Sequence, residues 1–121
     1  IISSVDAAAL CKMADRGQIV GGLLDGPLAF DNAISKEAVQ TKGIISDVAG
    51  QADILLAPDL ETASMLTKQF SFMANAEGAG LVVGTKVPVI LTSRSEAIKG
   101  HLASCALALL VANSRKINLK K

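Results

Sequence analysis

The strongest constraint in this sequence is an alternation. Short, uninterrupted apolar runs take turns with longer stretches whose apolar residues recur at helical spacing. Ile19 to Leu24 is one such run, closed by Asp25-Gly26-Pro27, and Ile54 to Ala57 is another, closed by Pro58-Asp59. Leu81 to Val83 and Val87 to Leu91 follow, separated by Gly84-Thr85-Lys86. Each run reads as a strand buried on both faces and ended by a turn. Between them lie helical patterns. Ser4 to Arg16 carries Val5, Ala8, Ala9 and Met13 on one face, with Gly17 as the stop. Asp31 to Lys42 holds one or two helical turns capped by Asp31 or Ser35, with Gly43 beyond. Leu60 to Ala76 forms a helix N-capped by Asp59, with Ala63, Leu66, Phe70 and Met73 on a shared face.

The final helix is expected from about Arg94 to Asn113, with Ile98, Leu102, Cys105 and Leu109 along a stripe. Beyond Leu102 apolar residues surround it, which demands cover from a second layer or another subunit. Taken together, the alternation predicts an α/β fold, a three-layer sandwich with a mainly parallel sheet. In such sheets ligands meet the loops at the carboxyl ends of the strands. That points to Asp25-Gly26, Pro58-Asp59 and Thr92-Ser93-Arg94.

Composition narrows the function classes. With 121 residues, half of them hydrophobic, one domain with a real core is expected. Twelve Lys and Arg against 11 Asp and Glu leave no field that would attract nucleic acid or a membrane surface. Only Phe30, Phe70 and Phe72 are aromatic, too few for base stacking. Arg115, Lys116, Lys120 and Lys121 read as a solvated tail that complements a helix dipole. Cys11 and Cys105 stand singly, so neither a zinc knuckle nor a redox pair is indicated, and a reducing cytoplasm is the expected compartment. The stretch from Leu102 to Ala112, interrupted by Ser104, is shorter than the roughly 20 residues of a membrane span. No signal peptide is indicated, and the start at Ile1 without Met suggests a fragment.

Ser93-Arg94-Ser95-Glu96 carries the most chemistry. It follows an apolar run and opens a helical pattern, so backbone N–H groups, a hydroxyl and a guanidinium would converge where an anion could rest. Ser93 with Glu96 three residues later is equally a capping box that needs no ligand. Arg94 is not required by a cap and is the more informative residue. Asp25 and Asp31 flank the Gly26-Pro27 turn, where two carboxylates could serve acid–base work or orient an arginine, although turn and cap duties account for both. His101 has no metal partner and reads as structural unless an acidic group reaches it. Met65 and Met73 read as core filler.

The length and the run Asp53-Ile54-Leu55-Leu56 resemble a phosphoacceptor receiver domain, but Ala57 stands where the acceptor Asp belongs. A wider resemblance covers nearly the whole chain. Segments 5–35, 42–70 and 87–109 carry D-G-x-L-x-x-D, V-A-G-x-A-D, P-x-L-E and a late S-R pair in order, and in this they resemble the C-terminal portion of phosphate acyltransferases. The nearest branch is similar to phosphate butyryltransferase, with phosphate acetyltransferase as the wider family.

The resemblance implies reversible transfer of a short acyl group, butyryl or branched-chain rather than acetyl, between coenzyme A and inorganic phosphate. It implies no tightly bound cofactor: the coenzyme A thioester is a substrate and the acyl phosphate a product. It further implies part of an isocitrate/isopropylmalate dehydrogenase-like fold in a cytoplasmic homodimer. Residues 1–121 would be the C-terminal α/β portion, inactive alone, with the N-terminal half and its substrate-binding residues absent from this chain. Ser93 and Arg94 match the family's active-site pair, Arg94 binding phosphate and Ser93 assisting binding or thiol activation. Asp25, Asp31, Pro58 and Asp59 are the further candidate substrate contacts. The acetyl branch carries an Asp seven residues after the motif Ser. Here that position is Gly100, so no base carries over, and Glu96 is the nearby carboxylate. The segment Thr62-Ala63-Ser64 also departs from the family's frequent A-G-N. The competing reading is a non-catalytic α/β binding or dimerisation module on the same scaffold.

Overall fold

A computed structural model describes the backbone of residues 1–118 and the side chains of residues 1–115. Among these residues are five helices: α1 (Ile2–Asp15), α2 (Phe30–Ile34), α3 (Lys36–Lys42), α4 (Leu60–Met73) and α5 (Ile98–Asn118). No strand forms among them, and the recorded β pairing is an isolated antiparallel bridge between Val82 and Val89. The expected three-layer α/β sandwich with a mainly parallel sheet, of the isocitrate/isopropylmalate dehydrogenase type, is therefore overturned. The physical reason is that an apolar run states a need for cover, whereas a strand exists only when a neighbour lies about 4.8 Å away to complete its ladder. Segments 19–24 and 54–57 have no such neighbour, and Val20, Leu23, Ile54 and Leu56 stay exposed.

The helices themselves follow local chemistry closely. α1 is rich in alanine and free of Gly and Pro. Its half-buried face, however, is Ala7, Leu10, Cys11 and Ala14, whereas Val5 and Met13 of the expected face are exposed. Small size decides this packing: a Cβ at Gly26 would come within 3.2 Å of the Ala7 Cβ. The Cys11 thiol donates weakly to the Gly26 carbonyl at 3.6 Å. Ser35 separates α2 from α3 and caps the latter, its hydroxyl accepting from the Ala38 N–H at 3.3 Å. Gly43 ends α3 in the left-handed region, φ +63°. Asp59 caps α4 by accepting from the Thr62 N–H at 2.6 Å. α4 stops at Met73, short of the expected Ala76, and Asn75 just beyond adopts φ +52°.

The chain divides into two compact units, Ile1–Thr62 and Ala63–Lys121. The first is closed by backbone contacts among small residues. The Gly50 N–H donates to the Asn32 carbonyl at 2.7 Å and the Ala52 N–H to the Ala33 carbonyl at 3.0 Å. Asn32, Ala33 and Ala49 are buried there. Gly50 has φ +81°, and a Cβ on it would lie 2.9 Å from the Lys36 Cα, so only glycine suits that crossing.

The second unit is organised by α5, which ties down the stretch from Gly80 to Thr92 through polar side chains. Ser104, fully buried, donates to the Gly100 carbonyl at 2.8 Å and accepts from the Gly80 N–H at 3.0 Å. Arg115 donates to the carbonyls of Thr85 at 2.7 Å and Lys86 at 3.3 Å. This corrects the solvated-tail reading for Arg115; Lys120, Lys121 and the Lys116 side chain lie outside the described residues. Much of the apolar surface of α5 among the described residues is bare. Leu102, Leu109 and Leu110 remain 65–71% exposed, so the cover their sequence demands is not supplied among the described residues. Among those residues no helix is long and apolar enough to cross a membrane.

Candidate functional site

The Ser93–Glu96 segment is the site's centre. It does not form the capping box that its sequence permits, because α5 begins only at Ile98. Instead the Ser93 carbonyl accepts from the Glu96 N–H at 3.0 Å, closing a turn. The Ser93 hydroxyl meets the Ser95 hydroxyl at 2.9 Å and accepts from the Ser95 N–H at 3.3 Å. Arg94 therefore sits on an exposed turn rather than inside a helix. Its guanidinium makes no hydrogen bond or ion pair among the described residues. A guanidinium is a planar fork of donors able to meet an oxyanion at two points, and Ser93 and Ser95 flank this one in sequence.

Immediately before this turn, the Thr92 hydroxyl and His101 Nδ1 share a hydrogen bond of 2.8 Å. Sequence reasoning weighed His101 only against acidic or metal partners and missed this hydroxyl. The signal lay in its position near the start of the last helix, facing the residue that precedes the S-R pair. Gly100 is buried, and a Cβ there would overlap the Glu96 side chain. The space of a side chain at position 100 is thus taken by Glu96, folded back over the first turn of α5.

The remaining candidates, Asp25, Asp31, Pro58 and Asp59, belong to the first unit. Asp31 pairs with Lys42 at 2.7 Å, and that hydrogen bond holds its carboxyl below the ordinary range. Asp25 accepts from the Gly26 N–H at 2.8 Å. Its side of the turn, with Leu23, Leu24, Ile45, Ser46, Asp47 and Val48, lines an open concavity of roughly 230 Å³. Ser46 shapes one wall by accepting from the N–H groups of Val48 and Ala49, each at 3.0 Å. Burial, and then the charges of Asp25 and Asp15, push the Cys11 thiol up. Asp59 serves as a helix cap, and hydrogen bonding by the Thr62 side chain and N–H keeps its carboxyl low; Pro58 is exposed beside it. Among the described residues no three His, Cys, Asp or Glu side chains converge as metal ligands.

Comparison with known proteins supplies the context. The family model described as phosphate acetyl/butaryl transferase matches residues 3–109. A phosphate acetyltransferase of Rhizobium meliloti is 58% identical over 116 residues, covering 96% of this chain and 37% of that protein. A phosphate butyryltransferase of Clostridium beijerinckii is 52% identical over 114 residues, covering 94% of this chain and 38% of that protein. The backbone also matches the crystal structure of a branched-chain phosphotransacylase from Enterococcus faecalis V583 with a TM-score of 0.75 and 36% identity, over 90% of this chain and 39% of that one. These relatives define a class of acyl-transferring enzymes that use phosphate. The chain belongs to the phosphate acetyl/butyryl transferase family and spans a little over a third of the length of these relatives. Identity over this span does not separate the acetyl from the butyryl branch.

Proposed function

We propose that this chain supplies the phosphate-binding turn of an enzyme that moves a short acyl group reversibly between coenzyme A and inorganic phosphate. The observation that carries this reading is the Arg94 guanidinium, exposed on a turn next to Ser93 and free of any protein partner among the described residues. In the direction of thioester synthesis, the sulfur of coenzyme A attacks the carbonyl of the acyl phosphate. A C–S bond forms, the C–O bond to phosphate breaks, the thiol proton passes to solvent water and phosphate leaves as an oxyanion. Thiolate and phosphate both carry negative charge, so bringing them together at one carbonyl is the costly step. A fixed guanidinium spreads and neutralises that charge, and its two-point grip on the phosphate keeps the reactants in line. Ser93 lies one residue away, where its hydroxyl can donate to the same oxyanion or to the sulfur. No covalent intermediate on the protein is required.

Residues 1–121 act, in this reading, as the C-terminal portion of a cytoplasmic homodimeric enzyme whose other residues complete the cleft for coenzyme A. The chain alone is then inactive: incubated with butyryl phosphate and coenzyme A it forms no acyl-CoA, and turnover at rates typical of whole transacylases overturns the fragment assignment. In a full-length phosphate acyltransferase carrying this sequence, Arg94→Ala removes about 2 to 4 kcal/mol of transition-state stabilisation. An unchanged rate would instead favour the non-catalytic module on the same scaffold.

A further inference from the structure

We propose that His101 is a positioning residue for the Ser93–Arg94 turn and acts through the Thr92 hydroxyl; the proposal rests on the reading that Arg94 meets phosphate. The anchor of that turn lies on α5. Gly100, Ser104, Ala108, Val111, Ala112 and Arg115 are its buried or half-buried positions, and they recur at helical spacing along one face. Along that face the helix fastens the preceding stretch at successive points: Arg115 on Thr85 and Lys86, then Ser104 on Gly80. His101, one turn before Ser104, makes the fastening nearest the site, 2.8 Å from Thr92 across a separation of nine residues.

Two of these ties are to backbone groups and would suit any structural connection. The His101 tie is different, since it holds the side chain of the residue that enters the Ser93–Arg94 turn. Beyond Thr92 the turn is held by the Glu96 N–H on the Ser93 carbonyl and by the Ser93–Ser95 contacts, all internal to it. The Thr92–His101 bond, with the Glu96 side chain folded over Gly100, therefore ties this turn to α5. An oxyanion-binding arginine on an unanchored turn samples many positions, and ordering it on binding weakens the grip on phosphate. His101 and the bond are exposed, and Thr92 is half-buried.

The test uses a full-length phosphate acyltransferase carrying this sequence, assayed against inorganic phosphate and against acyl-CoA as separate variables. Thr92→Val and His101→Phe, which remove the bond while keeping bulk, should raise KM for phosphate about tenfold and move KM for acyl-CoA and kcat less than about threefold. Thr92→Ser keeps the hydroxyl, and His101→Asn places an amide where Nδ1 stood. Both should return the phosphate KM to within about twofold of the parent. A uniform fall in kcat with KM unchanged, or failure of both conservative variants to rescue, overturns the proposal, as does a lowered melting temperature with an unaltered phosphate KM. Arg94→Ala run in parallel separates the layers. If it leaves the phosphate KM unchanged, the parent reading fails and this one with it. If it abolishes phosphate dependence while Thr92→Val and His101→Phe leave the phosphate KM within about twofold of the parent, only the positioning role falls.

Discussion

The two units of the chain use their family motifs in opposite ways. In the first unit, D-G-x-L-x-x-D and V-A-G-x-A-D are consumed by architecture. Asp25 holds its own turn, Gly26 admits Ala7, Asp31 pairs with Lys42, and Gly50 lets α3 pass its backbone. In the second unit, architecture is delegated to Ser104, Arg115 and His101 on α5 and to Ser93 within its own turn, and the Arg94 guanidinium is uncommitted among the described residues. The lesson is that motif membership does not identify a functional residue. What distinguishes Arg94 from Asp31 is that no described residue pairs with its charge.

The largest expected effect tests the architectural side of that contrast. Gly50→Ala must adopt a left-handed φ and push against the Lys36 backbone, so it should cost about 2 to 4 kcal/mol in chemical denaturation. A loss under about 1 kcal/mol would show that the first unit tolerates that crossing opening. Ser104→Ala orphans the Gly80 N–H, and a destabilisation of about 1 to 2 kcal/mol is expected from a thermal melt. If the variant melts with the parent protein, α5 does not anchor the second unit as described.

Smaller effects sharpen the first unit's account. Replacing the Asp59 cap by Ala should cost about 1 kcal/mol. Asp31 and Asp59 both have folded-state pKa values below the ordinary carboxylate range, the first through its hydrogen bond from Lys42 and the second through Thr62. Each therefore stabilises the fold above the unfolded value of about 3.9, and that contribution fades as pH falls through the lower folded value. Asp31→Asn with Asp59→Asn should accordingly flatten the acid limb of a stability–pH curve below about pH 4 and leave the neutral region nearly parallel to the parent.

What could be read from the sequence follows from the range of the forces involved. Ser35, Gly43 and Asp59 were legible because a cap is settled within three or four residues. The start of the last helix was not, because Ser93-x-x-Glu96 spells a capping box while the Ser93 hydroxyl turns to Ser95. The face of α1 was misjudged since apolarity favoured Val5 and Met13, whereas the close approach of Gly26 rewards the small Ala7 and Cys11. Strands failed for a longer-range reason: Ile54 and Leu56 announce a wish for burial but cannot name a partner. The S-R pair was found by its order among the motifs. The Thr92–His101 bond was hidden because it depends on a turn of non-helical backbone that no local pattern encodes.

In the function proposed above, Arg94 is held ready for an oxyanion, and no described residue uses its charge to support the fold. The most direct measurement takes Arg94→Ala in a full-length phosphate acyltransferase carrying this sequence and records folding stability and phosphate saturation on the same preparation. The expected result is stability within about 0.5 kcal/mol of the parent together with loss of saturable phosphate dependence. A well-folded variant that saturates with phosphate as the parent does, or one that unfolds because the guanidinium was structural after all, contradicts the account.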